Sequence, residues 1–104
     1  MTRRDVQAAM YAQVSEEEFL QQVITAARLL NWLVYHTRDS RGSEAGYPDL
    51  TMLRGGRLLV MELKSETGKV TPEQQHWIEE WQKAGAYASV FRPTDIDVIL
   101  EALA

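Results

Sequence analysis

The chain of 104 residues contains no cysteine. This absence excludes disulfides, zinc sites built on thiolates and cysteine nucleophiles. A metal ion in this protein would have to be held by oxygen or imidazole ligands. The sequence therefore favours a hard cation such as Mg²⁺ or Mn²⁺ as the metal, if one is bound.

Long apolar runs are also missing. No window approaches the roughly 18 to 20 uninterrupted apolar residues of a membrane-spanning helix. The opening MTRRDVQAAMYAQ lacks the apolar core of a signal peptide. We expect a soluble, cytoplasmic protein with no membrane partner. One compact domain fits this length, and we predict an N-terminal extension over residues 1–14 and the domain over 15–104.

Positive charge is scarce, because 11 basic residues face 15 acidic ones and the net charge is −4. This balance argues weakly against nucleic-acid binding, which usually needs a basic surface. The charges are unevenly distributed, however. Residues 38–69 carry six basic and five acidic side chains, net +1, whereas residues 70–104 carry two and six, net −4. This pattern fits a protein that binds phosphate on one surface and is acidic on the opposite surface. A random distribution of surface charges fits it equally well.

The first predicted element is a helix. Ser15 followed three residues later by Glu18 forms a capping-box pattern, and the apolar residues after it recur at helical spacing. The spacing predicts a helix from about Glu16 to Leu30. The aromatic and β-branched segment NWLVYHT then predicts a strand, and the polar, glycine-containing segment after it predicts a loop.

The second half of the chain predicts a hairpin, a helix, a strand and a last helix. The apolar segments PDLTML and RLLVMELK flank Gly55-Gly56, which is typical of a hairpin with a tight turn. Thr71 and Pro72 predict the start of a helix that ends near Gly85. The order α, β, β, β, α, β, α predicts an α/β fold with a mixed four-stranded sheet flanked by helices.

The turn predicts the register of the hairpin. A loop centred on Gly55-Gly56 pairs residues whose numbers sum to 111, so Asp49 should face Glu62. Glu62 and Lys64 share a face because side chains alternate along a strand. Opposed carboxylates repel each other, and a bound cation or a shared proton would compensate. An ordinary surface hairpin with a Glu-Lys pair is the alternative, but the apolar context of LLVMELK favours a functional site.

These residues also carry a family resemblance. Asp49 within GYPDL and Glu62-Leu63-Lys64 within MELK resemble the core of the PD-(D/E)xK nucleases, and the chain is similar to the VRR-NUC domain from Glu18 to the closing VFRPTDIDVILEAL. The resemblance implies a restriction-endonuclease-like core and Mg²⁺- or Mn²⁺-dependent hydrolysis of DNA phosphodiester bonds. The resemblance to small stand-alone members of this family also implies a homodimer that is selective for branched DNA or four-way (Holliday) junctions.

The resemblance implies a catalytic set of five residues: Glu18, Asp49, Glu62, Lys64 and Gln74. Glu18 and Gln74 also complete capping-box patterns with the residues three positions before them, so a structural role competes with catalysis for both. Lys64 is expected either to orient the attacking water or to stabilise the charge that develops on the phosphate.

The metal is expected on Asp49, Glu62 and the main-chain carbonyl of Leu63. A non-catalytic nucleic-acid-binding or scaffold domain, and a hydrolase of another phosphoester, are the alternative functions.

The candidate contacts to DNA phosphates around this site are Arg38, Arg41 and Lys69. The alternative is that they are ordinary solvent-exposed charged residues of loops. His36 is placed outside the core site, because a lone histidine at a strand end is more often structural. Trp77 and its helical neighbour four residues later predict an apolar ridge in the core or at a dimer interface.

Overall fold

The computed structural model describes residues 1–38 and 42–104. It contains four helices, four strands and a short 3₁₀ turn in this part of the chain: α1 Arg3–Tyr11, α2 Glu16–Leu29, β1 Leu33–His36, β2 Leu50–Arg54, β3 Arg57–Leu63, α3 Pro72–Lys83, β4 Tyr87–Phe91, the 3₁₀ turn Pro93–Asp95, and α4 Ile96–Leu103.

The strands form one mixed sheet in the order β1-β2-β3-β4. The first three strands are antiparallel, and β4 runs parallel to β3 because α3 carries the chain back across the sheet. This arrangement confirms the predicted α/β fold. Strand β1 lies at one edge of the sheet and β4 at the other.

The β2–β3 hairpin turns on Gly55 and Gly56, whose φ angles of 54° and 81° are both positive. Glycine adopts two such angles in succession at little cost, and this pair matches the right-handed twist of the strands. The resulting register pairs Leu50 with Met61 and continues to the turn, so every pair sums to 111 as predicted.

Helices cover both faces of the sheet. Helix α2 contributes a buried stripe that recurs at helical spacing, and it packs with α4 and alternate strand residues such as Leu50 and Met61 into the larger core. The intervening strand residues face the other way, where Val60 and Ala88 pack against Ile78 of α3.

Helix α1 is an addition to the predicted order. Thr2 and Asp5 form a capping box at its start, but the helix has no buried residue. Its apolar residues are few and stay exposed or half-exposed, so the helix adds nothing to the hydrophobic core. The boundary predicted between residues 14 and 15 stays a prediction. Across residues 1–38 and 42–104, none of the helices is long and apolar enough to cross a membrane.

Candidate active site

Asp49 and Glu62 meet at the end of the hairpin that lies away from its turn. Asp49 immediately precedes β2 and Glu62 is the penultimate residue of β3. Because Leu50 pairs with Met61 and both point into the larger core, Asp49 and Glu62 are neighbours on the opposite face, the face covered by α3.

Two charged side chains of this site are almost completely buried. Glu62 is 2% exposed and Lys64 is 8% exposed. Lys64 Nζ lies 3.5 Å from Glu62 Oε2 and 3.9 Å from Glu16 Oε1. The second oxygen, Glu62 Oε1, is buried and has no hydrogen-bond partner among the described residues. A buried carboxylate oxygen without a partner costs free energy, and a proton or a bound cation would remove that cost.

Asp49 is held through both its side chain and its main chain. Its Oδ2 accepts a hydrogen bond of 2.8 Å from the N–H of Leu63. Its carbonyl accepts one of 2.8 Å from the N–H of Thr37, whose hydroxyl also donates to the carbonyl of Pro48 at 2.7 Å. These contacts keep Asp49 beside β3 although it lies outside the regular strand.

The two carboxyl groups resist ionisation. Burial raises the pKa of Glu62 from its ordinary 4.5 to about 8, repulsion from Asp49 adds to the rise, and Lys64 opposes it. Burial also raises the pKa of Asp49, against the lowering effect of the Leu63 N–H hydrogen bond. A proton can therefore compensate the pair below about pH 8, and a cation can do so at any pH at which it binds.

The residues present fit a divalent cation. Across residues 1–38 and 42–104 there is no cluster of three or more histidine, cysteine or acidic side chains of the kind that encloses a metal. Two adjacent carboxyl groups are nevertheless the usual protein contribution to a Mg²⁺ site, where water, main-chain oxygen and substrate phosphate complete the shell. Such a cation would give the partnerless oxygen of Glu62 a partner, and it would oppose the burial and the mutual repulsion that raise the pKa of Glu62.

Comparison with known proteins identifies the family of this chain. The family model described as the VRR-NUC domain matches residues 3–94, which is most of the chain. The chain belongs to the VRR-NUC family.

Two solved structures support the assignment. One, titled "VRR_NUC domain", is 27% identical with a TM-score of 0.67, and the match covers 84% of this chain and 96% of that one. Another, titled "VRR_NUC domain protein", is 25% identical with a TM-score of 0.61, and the match covers 86% of this chain and 84% of that one. Among curated proteins, none matches this chain.

Membership has direct consequences. VRR-NUC is a PD-(D/E)xK-like nuclease domain, so the family implies nuclease activity and DNA binding, and nucleases of this kind generally use divalent metals. Pro48-Asp49 is the predicted Pro-Asp element and Glu62-Leu63-Lys64 the predicted (D/E)xK element, and their catalytic assignment stays a prediction. The hairpin register brings these elements together in the VRR-NUC fold.

Gln74 lines a cleft with Asp49 and also caps its helix. Its Oε1 accepts a hydrogen bond of 2.9 Å from the N–H of Thr71, and its own N–H donates to the Thr71 hydroxyl at 3.2 Å. The cleft is open, has a volume of about 250 Å³ and is also lined by Arg38. A catalytic role for Gln74 stays a prediction.

Glu18 is engaged at the start of α2, where its Oε1 accepts a hydrogen bond of 3.2 Å from the N–H of Ser15. The glutamate that approaches Lys64 is Glu16, which the sequence reasoning did not single out. The capping box predicts that Glu18 turns back to the start of its own helix, but it does not predict which of Glu16 and Glu17 faces Lys64. Catalysis by Glu18 stays a prediction.

Of the three predicted DNA contacts, the structure describes two, Arg38 and Lys69. Arg38 is exposed and lines the cleft, and Lys69 is exposed in the loop between β3 and α3. Arg41 lies outside the described residues. His36, set aside in the sequence reasoning, lies close enough to Asp49 for its charge to lower the pKa of that carboxyl group.

Proposed function

We propose that this VRR-NUC chain is a Mg²⁺- or Mn²⁺-dependent endonuclease that hydrolyses phosphodiester bonds of branched DNA, including four-way junctions. The observation that carries the metal assignment is the buried carboxylate of Glu62, which has a partnerless oxygen and lies beside Asp49. Asp49 and Glu62 would hold the cation, with the carbonyl of Leu63 as a further ligand. When bound, the cation supplies Lewis acidity towards a phosphate oxygen and lowers the pKa of a water ligand.

The chain's own residues supply the rest of the reaction. The ammonium group of Lys64 lies next to the carboxyl pair, where it can hold the attacking water or balance the negative charge that develops on the phosphate. Glu16 and Glu62 flank that ammonium and restrict its position. Gln74 faces the cleft beside Asp49 and is a candidate to orient a phosphate or a water.

Hydrolysis forms one bond between the water oxygen and phosphorus and breaks one between phosphorus and the leaving sugar oxygen. The water loses a proton and the leaving oxygen gains one. Proton transfer at both ends is therefore required, and the buried setting strengthens the electrostatic effect of each charged group.

A homodimer would suit a branched substrate, because a two-fold axis presents two active sites to a nearly symmetric junction. Exposed apolar side chains on the α3 face of the sheet, over β1 and β2 where α3 does not cover it, support this proposal. Leu33 on the edge strand pairs with Leu53 on β2, and Tyr35 follows on the same face. Their exposed fractions are 71%, 49% and 58%. Exposed apolar patches of this kind mark protein contacts.

A cleavage assay with Mg²⁺ and with Mn²⁺ tests the function on four-way, flap and linear DNA. The wild type should cut the branched substrates, and Asp49→Ala should lower the rate by about a hundredfold or more. Glu101→Gln, an exposed carboxylate change on α4, is the matched control and should retain full activity. Unchanged cleavage by the Asp49→Ala protein would reject this site. Metal binding and DNA binding without cleavage would favour a non-catalytic domain.

A further inference from the structure

Asp49 depends on more than strand pairing for its position. Regular β2 begins one residue later, at Leu50, and the chain reaches Asp49 from a loop. Thr37 holds the main chain of Pro48 and Asp49 from the β1 side. On the other side, the contacts come from α3.

The closest of these contacts is at Gly46. Its φ is +83°, and a Cβ atom placed there would lie 2.6 Å from the main-chain carbon of Glu73 and 2.7 Å from the nitrogen of Gln74. The loop backbone therefore lies directly on the first turn of α3, with no space for a side chain. The same turn carries Gln74, which lines the cleft with Asp49.

Trp77 adds two further contacts one turn along α3. Its Nε1 donates a hydrogen bond of 3.2 Å to the carbonyl of Ala45. The ring of Tyr47 meets the Trp77 ring edge to face, with centroids 4.9 Å apart and planes at 75°. The Tyr47 hydroxyl then lies 3.2 Å from Thr51 Oγ1, two residues beyond Asp49 on the same face of β2.

We propose that Gly46, Tyr47 and Trp77 act as positioning residues, a bracket that joins α3 to β2 and holds Asp49 and Gln74 in place against Glu62. None of the three touches the reacting atoms. Their effect on metal binding and catalysis rests on the proposed function, whereas their effect on the position of Asp49 does not.

The physical reason for such a bracket is the repulsion between the two carboxyl groups. Asp49 is attached to a loop, so without restraint it could move away from Glu62 when both are ionised. A bracket on the Asp49 side opposes that movement and keeps the pair at the spacing that a cation needs. Preorganisation of this kind also limits the movement required before reaction.

Two substitutions weaken the bracket, and each has a matched control in the chain. Trp77→Phe keeps a ring for Tyr47 but removes the N–H donor to Ala45. Its control is Trp81→Phe on the same helix, because the indole N–H of Trp81 has no partner among the described residues. Gly46→Ala forces the loop away from α3. Its control is Gly42→Ala, which has a similar φ of +95° but no atom of the described residues within 4 Å of the new Cβ.

The first measurement needs neither metal nor DNA. The N–H of Leu63 donates to Asp49 Oδ2, so its hydrogen-exchange rate, followed by NMR, reports whether Asp49 is in place. Trp77→Phe and Gly46→Ala should raise that rate about tenfold, while amides of the regular β2–β3 ladder keep theirs. Both controls should keep the wild-type rate at Leu63. Folded bracket variants with wild-type exchange at Leu63 would overturn the proposal.

The second measurement is Mn²⁺ affinity by calorimetry, together with kcat and KM on a branched substrate. The bracket variants should bind Mn²⁺ about 10- to 100-fold more weakly, with the loss in kcat rather than KM, and the controls should match the wild type. If the wild type itself binds no Mn²⁺, the proposed metal function fails, and exchange at Leu63 still decides for or against the bracket. Faster exchange with unchanged Mn²⁺ affinity would support the bracket and remove Asp49 from the metal site.

Discussion

Glu62→Gln should make the metal-free protein more stable while abolishing its metal response. The substitution keeps the shape of the side chain and removes the charge. In the wild type, the folded state holds Glu62 in a buried place beside Asp49, and its pKa rises from 4.5 to about 8. The glutamine variant avoids the free-energy cost of keeping an ionised carboxylate in this buried place.

The size of the effect follows from the pKa shift. Each unit corresponds to about 1.4 kcal/mol, so a rise from 4.5 to about 8 makes ionised Glu62 cost roughly 4 to 5 kcal/mol in the folded state. The substitution removes this cost, but part of the resulting stabilisation is lost because Lys64 loses its ion pair and the buried amide has few partners. We expect a net gain of about 2 kcal/mol at pH 8, which raises Tm by roughly 8 to 16 °C in a domain of this size.

The assay is urea unfolding and thermal melting of both proteins at pH 5 and pH 8, with chelator and then with Mn²⁺. At pH 5 the variant should gain little, because Glu62 is then protonated in the folded wild type. Mn²⁺ at a hundred times its Kd should stabilise the wild type by about 2.7 kcal/mol and leave the variant unchanged. Glu101→Gln, which changes an exposed carboxylate on α4, is the control and should behave as the wild type does.

Two results would refute this reasoning. One is a Glu62→Gln protein that is less stable than the wild type at pH 8 without metal, since the buried charge would then be favourable. The other is a stability difference that does not change with pH, because an ionisation cost must disappear when the carboxyl group is protonated.

Other measurements test the remaining features. The pKa of Glu62 is higher in the folded state than in the unfolded state, so the folded state binds the extra proton. The metal-free wild type should therefore lose stability as pH rises from about 5 to about 8. A rise in unfolding free energy over that range would contradict the pKa shift. Lys64→Met should lower kcat by about a hundredfold or more with Mn²⁺ affinity retained in calorimetry, and wild-type kcat would remove Lys64 from catalysis. Leu33→Lys should convert the proposed dimer to a monomer in sedimentation, and a wild type that is already monomeric at micromolar concentration would contradict the dimer. Gly56→Ala, at a φ of +81° with open space around it, should cost about 1 to 2 kcal/mol in urea unfolding, and a neutral change would mean that the turn is not of the glycine-dependent type.

Much of this site was predictable because its determinants are local in sequence. The register of β2 and β3 follows from two glycines at the turn, and the alternation of side chains then places Asp49 next to Glu62. The starts of α2 and α3 follow from capping boxes that span only four residues each. Short-range patterns of this kind keep their meaning whatever the rest of the chain does.

The features that escaped prediction depend on contacts between distant segments. Glu16 approaches Lys64 because α2 crosses the end of β3, and the sequence contains no signal for which of three adjacent glutamates points there. The burial of Glu62 and Lys64 arises because the folded chain closes around them, although their residue types are usually exposed.

The sequence by itself thus determined the hairpin, its register and the residues that meet on it, because turns, caps and strand alternation act over a few neighbouring residues. Only the tertiary structure decided how deeply the carboxyl pair is buried, which glutamate accompanies Lys64, and how closely Gly46 and Trp77 join the loop before Asp49 to α3. Packing between segments far apart in sequence sets these properties, and packing depends on the whole fold.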